Sequence, residues 1–307
     1  MEYIEIKQLL EEKGQIQLLR FYDKLDDKEK SVLLNQIENI DWNSISPEEA
    51  DEEGEIEPIE GVSCQEIRKN SEMFFKIGSE QLKSGKVAAV LLAGGQGTRL
   101  GSSLPKGMFD IGINATKYIF EFHIENLKKV CKDTNGKVPL LIMTSEKNDS
   151  VTREFFARHN YFGYPKEDIY FYVQDMAPAT DFEGRVLLEE KGKIALSPNG
   201  NGGWFSSLVR AGLLDKMEER KVEWFNVFSV DNVLQHIADP LFVGATIANN
   251  CQCGSKVVKK TCPEEKVGVL CLKGGRPHVV EYYELSSEMA NEKIDGELVY
   301  KYGVILN

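Results

Sequence analysis

Residues 87–112 read Val87-Ala-Ala-Val-Leu-Leu-Ala-Gly-Gly-Gln-Gly-Thr-Arg-Leu-Gly-Ser-Ser-Leu-Pro-Lys-Gly-Met-Phe-Asp-Ile-Gly112. The apolar run 87–93 has the character of a strand buried on both faces. It feeds directly into Gly94, Gly95, Gly97 and Gly101. Glycines at this density let the backbone turn freely and leave no Cβ between it and a ligand. Successive free amides in such a loop form a concave anion site. Arg99 adds a planar, permanently charged fork, and Lys106 adds a compact point charge. Strand, glycine loop and two cations together point to a ligand that carries phosphate.

Two common phosphate motifs do not fit. The dinucleotide pattern G-x-G-x-x-G, started at Gly95, meets Leu100 where the third glycine belongs. A P-loop needs Gly-Lys followed by Ser or Thr, whereas Lys106 lies between Pro105 and Gly107.

Downstream, apolar spacing predicts a helix over 117–131 with Ile119, Phe122, Leu127 and Val130 as its buried stripe. A strand over 138–143 ends in Thr144-Ser145. A helix over 149–160 and a strand over 169–173, closed by Gln174, follow. This alternation predicts a mostly parallel, doubly wound α/β sheet with ligands at its C-terminal edge. Residues 185–204 read as a hairpin and a second glycine loop, Ser197-Pro-Asn-Gly-Asn-Gly-Gly203, opening a helix from 204 to about 220. The start of such a helix is a polar or anionic ligand site. The apolar run within 223–232 ends in Asp231, a sheet-edge carboxylate placed to hold Mg²⁺ against phosphates. Residues 256–284 read as an antiparallel ribbon added to the sheet.

Upstream, residues 3–40 read as two helices, 43–61 as an acidic linker, and 65–84 as a helix stopped by Ser84-Gly85. The predicted organisation is a helical cap with its linker, 1–62, and a catalytic domain, 63–307.

The formal net charge of -12 argues against sequence-independent nucleic-acid binding. No apolar run nears the ~20 residues of a membrane span, and the N-terminus lacks a signal-peptide pattern. The expectation is a cytoplasmic protein with reduced cysteines. Cys251, Cys253, Cys262 and Cys271 contain no C-x-x-C pair, so buried reduced thiols are expected over zinc.

Several segments together carry a resemblance. They are 92–101 with Pro105-Lys-Gly107, Gln174-Asp-Met-Ala-Pro-Ala179, Pro198-Asn-Gly-Asn-Gly-Gly203, Val230-Asp-Asn232 with Asp239-Pro240, and Val280-Glu-Tyr282. The chain resembles the eukaryotic UDP-N-acetylhexosamine pyrophosphorylases over about two-thirds of its length. The resemblance implies a nucleotide-diphospho-sugar transferase (glycosyltransferase-A-like) fold. It implies uridylyl transfer from UTP to N-acetylglucosamine 1-phosphate, giving UDP-N-acetylglucosamine and pyrophosphate with Mg²⁺. Leu92, Ala93, Gly94, Gly95, Lys106, Gln174, Gly200 and Asp231 would bind nucleotide, with Gln174 at the uracil and Asp231 also at the metal. Asn201, Glu281 and Tyr282 would meet the sugar side, and Arg99 with Lys106 would stabilise the reacting phosphates.

The end of the chain departs from the family pattern. Lys301 and Val304 stand where asparagines are usual, the second of which helps to hold the N-acetylhexosamine. Family members continue with further phosphate-binding lysines and a small C-terminal domain, so the catalytic domain is expected to be C-terminally incomplete. Two alternatives follow: a pyrophosphorylase for another sugar 1-phosphate, glucose or N-acetylgalactosamine, or a form that binds UTP or UDP-sugar without turnover.

Overall fold

The computed structural model describes residues 2–42, 45, 54–95, 101 and 104–304. The chain divides into two compact units, residues 1–52 with 175–203, and 53–174 with 204–307. The sequence reading grouped 1–62 as cap and linker; the smaller unit observed also takes in 175–203.

The smaller unit contains the helices Tyr3–Glu12 and Asp27–Glu38, joined by 3-10 turns at Ile16–Leu19 and Tyr22–Lys24. Asp26 and Glu29 close a reciprocal capping box on the second helix. Ile6, Leu10, Leu18, Leu25, Leu33 and Ile37 form a core with Val186 and Ile194 from the hairpin segment. Glutamines stitch that hairpin on, among them Gln15 and Gln36. The Gln15 amide donates to the Gly184 carbonyl (2.9 Å) and accepts from the Val186 amide (2.9 Å). The Ile194 amide donates to Gln36 Oε1 (2.9 Å).

The larger unit is built on four parallel strands in the spatial order Ile169–Val173, Leu140–Thr144, Val87–Leu92, Trp224–Ser229. Every residue of Val87–Leu92 is buried. Val87, Ala89 and Leu91 face a core shared with the helix Ile119–Thr134. Ala88, Val90 and Leu92 face another, shared with Leu208, Leu213 and Met217 of the helices Trp204–Arg210 and Leu213–Glu219. Alternation on a strand with both faces apolar thus forces helices onto both sides, the doubly wound arrangement. The single helix expected from 204 breaks at Gly212, whose φ is +65°. On Ile119–Thr134 the buried face carries Ile119, Phe120, His123, Ile124 and Leu127; Phe122, expected inward, is half-buried.

The antiparallel ribbon forms its own sheet rather than extending the parallel one. Gly268–Lys273 pairs along one edge with Ile56–Pro58 and Tyr302–Val304, and along the other with Arg276–Val280. Ile56–Pro58 lies inside the predicted linker. Gly54 permits that approach, since a Cβ there would sit 2.6 Å from the Gly274 nitrogen, and the Tyr300 hydroxyl donates to the Ile56 carbonyl (3.0 Å).

The helix expected over 65–84 is divided at Asn70 into Cys64–Lys69 and Ser71–Lys83. The latter packs against Pro240–Ala248, which the sequence reading did not single out. Two glycines form the crossing. A Cβ at Gly78 would lie 1.8 Å from the Pro240 carbonyl oxygen, and one at Gly244 would lie 1.8 Å from that of Phe74. These neighbours are backbone and cannot rotate away. Gly244→Ala is therefore expected to destabilise the larger unit by about 2 kcal/mol, the overpacking cost exceeding the ~1 kcal/mol gain in helix propensity. The check is the midpoint of denaturant unfolding. An unchanged midpoint would show that the helices do not cross at these glycines.

Candidate active site

In the strand order third, second, first, fourth, the direction of winding reverses between Val87–Leu92 and Trp224–Ser229. Open α/β sheets bind ligands in the crevice at such a reversal, beyond the strands' C-terminal ends. The chain segments leaving those ends are laced together. The Ala93 amide donates to the Met143 carbonyl (2.8 Å), the Gln174 amide to that of Thr144 (2.8 Å), and the Val230 amide to that of Leu92 (3.1 Å). Asn148, fully buried, donates from Nδ2 to the Ala93 carbonyl (3.0 Å) and accepts from the Ser145 amide (2.7 Å). The glycine loop therefore departs from a pinned residue.

Three predicted residues meet over that loop. The Gln174 carboxamide covers Gly94 so closely that a Cβ there would lie 2.6 Å from Nε2. Gln174 is 6% exposed, and its carboxamide has no hydrogen-bond partner among the described residues. Such a carboxamide offers a donor and an acceptor side by side to a ligand. Lys106 begins the 3-10 turn Lys106–Met108 behind Pro105. Its stem runs over Gly95, whose Cβ would be 3.6 Å from Cε, and its ammonium reaches Asp231 Oδ2 at 2.7 Å. The pair is partly open to water, at 20% and 39% side-chain exposure. Such pairs contribute at most about 1 kcal/mol, so this one exchanges readily for other partners.

The other predicted residues are placed as follows. Leu92 and Ala93 are buried, and the Leu92 carbonyl and both backbone groups of Ala93 are taken by the bonds to Val230, Met143 and Asn148. Arg99 lies outside the described residues. Gly200 and Asn201 belong to the smaller unit, where Gly200 has φ +70° and Asn201 opens the turn Asn201–Gly203. The Asn199 side chain lies under Gly203, 2.4 Å from where a Cβ would be. Glu281 and Tyr282 follow the strand Arg276–Val280 of the antiparallel sheet. There the Glu281 amide donates to Glu284 Oε2 (2.7 Å), and Tyr282 stands edge-on to Tyr283. Of the thiols expected to be buried only Cys271 is, inside its strand; Cys251, Cys253 and Cys262 lie in surface loops and are exposed. No cluster of three or more His, Cys, Asp or Glu side chains suited to a metal occurs among the described residues. None of the described helices is long and apolar enough to cross a membrane.

Sequence reasoning assigned no role to any histidine, yet His123 sits directly behind Asp231. Its Nε2 bonds the Val230 carbonyl (2.9 Å), and its ring stands edge-on to Phe228. Gly107 was quoted only within a motif. It is pressed onto the Phe120 ring, where a Cβ would come within 2.2 Å, and this contact seats the Lys106 turn on the core. The signal for both was the helical face shared by Phe120, His123 and Leu127.

Comparison with known proteins agrees with this geometry. The family model described as UTP–glucose-1-phosphate uridylyltransferase matches residues 23–300. The chain is 37% identical to the Xenopus tropicalis UDP-N-acetylhexosamine pyrophosphorylase-like protein 1, over 97% of this chain and 63% of that one. It is 35% identical to the Saccharomyces cerevisiae UDP-N-acetylglucosamine pyrophosphorylase, over 99% of this chain and 69% of the yeast protein. The crystal structure of the Trypanosoma brucei uridine diphosphate N-acetylglucosamine pyrophosphorylase, solved with an inhibitor, superposes with a TM-score of 0.78 at 28% identity. That match covers 98% of this chain and 64% of the trypanosomal one. The chain thus spans less than two-thirds of the length of the Xenopus relative. With the fold, the edge cluster and the match over 23–300 in agreement, the chain belongs to the UTP–glucose-1-phosphate uridylyltransferase family.

Proposed function

We propose that the protein is a uridylyltransferase that joins UTP and N-acetylglucosamine 1-phosphate into UDP-N-acetylglucosamine, releasing pyrophosphate. The observation that carries this reading is the meeting of Gln174, Gly94, Lys106 and Asp231 at one reversal point of the sheet. The relatives' names support the choice of substrates. The open carboxamide of Gln174 suits the paired donor and acceptor of a uracil edge. The backbone at Gly94 and Gly95 suits the phosphates. Gly200 would contact the base, Asn201, Glu281 and Tyr282 the sugar side, and Arg99 would join Lys106 at the phosphates. The cytoplasmic setting expected from the sequence accompanies this reading.

The chemistry asks little of the protein beyond alignment and charge. An oxygen of the sugar phosphate attacks the α-phosphorus of UTP in line, the α–β bridging bond breaks, and pyrophosphate leaves with its electron pair. The nucleophile is already anionic, so no general base is needed. Catalysis comes from positioning and from cations facing the charge that develops. Asp231 also suits Mg²⁺, because that ion is ordinarily held by one or two carboxylates together with substrate phosphates. Bound there, Mg²⁺ would supply charge neutralisation at the phosphate oxygens. Lys106 takes only Oδ2 of Asp231, so Oδ1 is open to such an ion, which would weaken the carboxylate's hold on the ammonium and favour its turning to a phosphate.

Val304 favours a second reading. It lies in the strand Tyr302–Val304 and offers no side-chain hydrogen bond where the family pattern has an asparagine for the N-acetyl group. Another sugar 1-phosphate would then be preferred.

The test is pyrophosphate release from UTP, Mg²⁺ and each of the 1-phosphates of N-acetylglucosamine, N-acetylgalactosamine and glucose. Release fastest with N-acetylglucosamine 1-phosphate, and abolished by chelating Mg²⁺, is expected. Faster use of glucose 1-phosphate would favour the second reading. No release from any of them, with UTP still bound in calorimetry, would leave a binding protein. Lys106→Ala is expected to slow release about 100-fold or more, a barrier increase of ~3 kcal/mol, with the fold intact. A rate like that of the parent would remove Lys106 from the chemistry.

Gly94→Ala separates ligand contact from folding. The atom it meets is the far end of the Gln174 side chain, so the cost to stability is expected to stay within about 0.5 kcal/mol. UTP affinity is expected to fall about tenfold or more, because the carboxamide is displaced and the backbone is shielded. Unchanged affinity in calorimetry would argue that the phosphate and base sites lie elsewhere.

A further inference from the structure

His123 is buried on the core-facing side of the helix Ile119–Thr134, and only its Nε2 has a partner, the carbonyl of Val230 at 2.9 Å. A carbonyl only accepts, so the proton resides on Nε2. Nδ1 is buried and has no partner among the described residues. Burial pushes the imidazole pKa down and favours the neutral ring, in which Nδ1 is a bare lone pair. Stranding an acceptor in an apolar stripe lowers stability, and a leucine of similar size would avoid that cost. What leucine cannot supply is the Nε2–H donor.

That donor acts on the residue immediately before Asp231. The Val230 amide donates to the Leu92 carbonyl (3.1 Å) and the Val230 carbonyl accepts from His123, so the residue leading into Asp231 is held at both of its backbone groups. One turn along the same helix, Asn126 Nδ2 donates to the Gln235 carbonyl (2.7 Å). From the strand side, Asn226 Oδ1 accepts from the Ala238 amide (2.7 Å). The turn that carries Asp231 is thus fastened at Val230, Gln235 and Ala238, and the fastening nearest the carboxylate is His123.

We infer that His123 is a positioning residue: through its hydrogen bond to the Val230 carbonyl it sets the aim of the Asp231 carboxylate toward Lys106 and toward a bound cation. The inference rests on the role proposed above for Asp231, but its geometric half is measurable without turnover. The probe is the ¹⁵N ammonium resonance of Lys106, calibrated by the change that Asp231→Asn produces. His123→Leu removes the donor and is expected to move the Lys106 resonance toward its position in the Asp231→Asn protein. His123→Gln places an amide Nε2–H at nearly the same reach and is expected to restore the parental resonance. Pyrophosphate release is expected to follow the same split. The leucine variant falls about tenfold in kcat with the KM for UTP little changed, as for other groups that orient a metal ligand, and the glutamine variant recovers.

A role limited to packing would predict the reverse, since leucine fills the apolar site better than glutamine does. A parental Lys106 resonance in His123→Leu would overturn the inference, as would equal losses in the leucine and glutamine variants. His123→Met serves as a second donor-free variant should the leucine protein not fold. If the parent releases no pyrophosphate, the proposed function fails by itself, and the Lys106 resonances still decide the positioning role.

Discussion

A strand that shows none of its side chains to water imposes a strict condition on everything around it. Val87–Leu92 consists only of valine, alanine and leucine, and each face is buried against a different set of helices. Both faces need cover, the neighbours need to be parallel strands joined by crossovers, and the strand can reach solvent only at its ends. Its C-terminal end is therefore where chemistry can occur, and there the sequence changes abruptly from Val, Ala and Leu to glycine. Gln174 and Asp231 come from the ends of other strands in the same sheet, fastened to a neighbouring strand end by the amide of Gln174 itself and by that of Val230, the residue before Asp231.

The parts of this arrangement that follow from periodicity could be read in the sequence. The central strand, the strands on either side and the strand-end positions of Gln174 and Asp231 all follow from runs of apolar residues and the points where they stop. Other parts depended on neighbours that periodicity does not identify. Ile56–Pro58 is a three-residue strand set among Glu55, Glu57 and Glu60, so its acidic surroundings hid its pairing with Gly268–Lys273. His123 looked like an isolated histidine because its partner is a backbone carbonyl 107 positions away. The helix Pro240–Ala248 did leave a local signal. Asp239 caps it by accepting from the Leu241 amide (3.0 Å), and proline occupies the first turn. The pair Asp239-Pro240 thus carries a helix-start signal in addition to its place in the family motif.

Glycine illustrates the same division. Gly78, Gly107 and Gly244 face atoms that cannot move aside, two backbone carbonyls and a buried ring, and they serve packing. Gly94 and Gly95 face the ends of the flexible side chains Gln174 and Lys106, and they keep open a space over which those side chains close. Composition alone treats all five alike. What separates them is whether the nearest atom belongs to the scaffold or to a side chain that a ligand would displace.

Charge raises a further constraint. The chain carries a formal net charge of -12, so a polyanionic nucleotide would approach against the overall field. At physiological ionic strength that field is screened within about 8 Å, and binding is decided by groups at contact range. At the sheet edge the groups proposed for that role are the amides of Gly94 and Gly95 and the ammonium of Lys106, which is paired with Asp231. A cation taken up by Asp231 would weaken its attraction for Lys106, so one event would add positive charge to the site and loosen a second positive group. Nucleotide and cation would then bind cooperatively through a single carboxylate, because each favours the state in which the ion pair is open. The partial exposure of that pair keeps the cost of opening small, and the fastened turn behind Asp231 keeps the carboxylate in place while its partner changes.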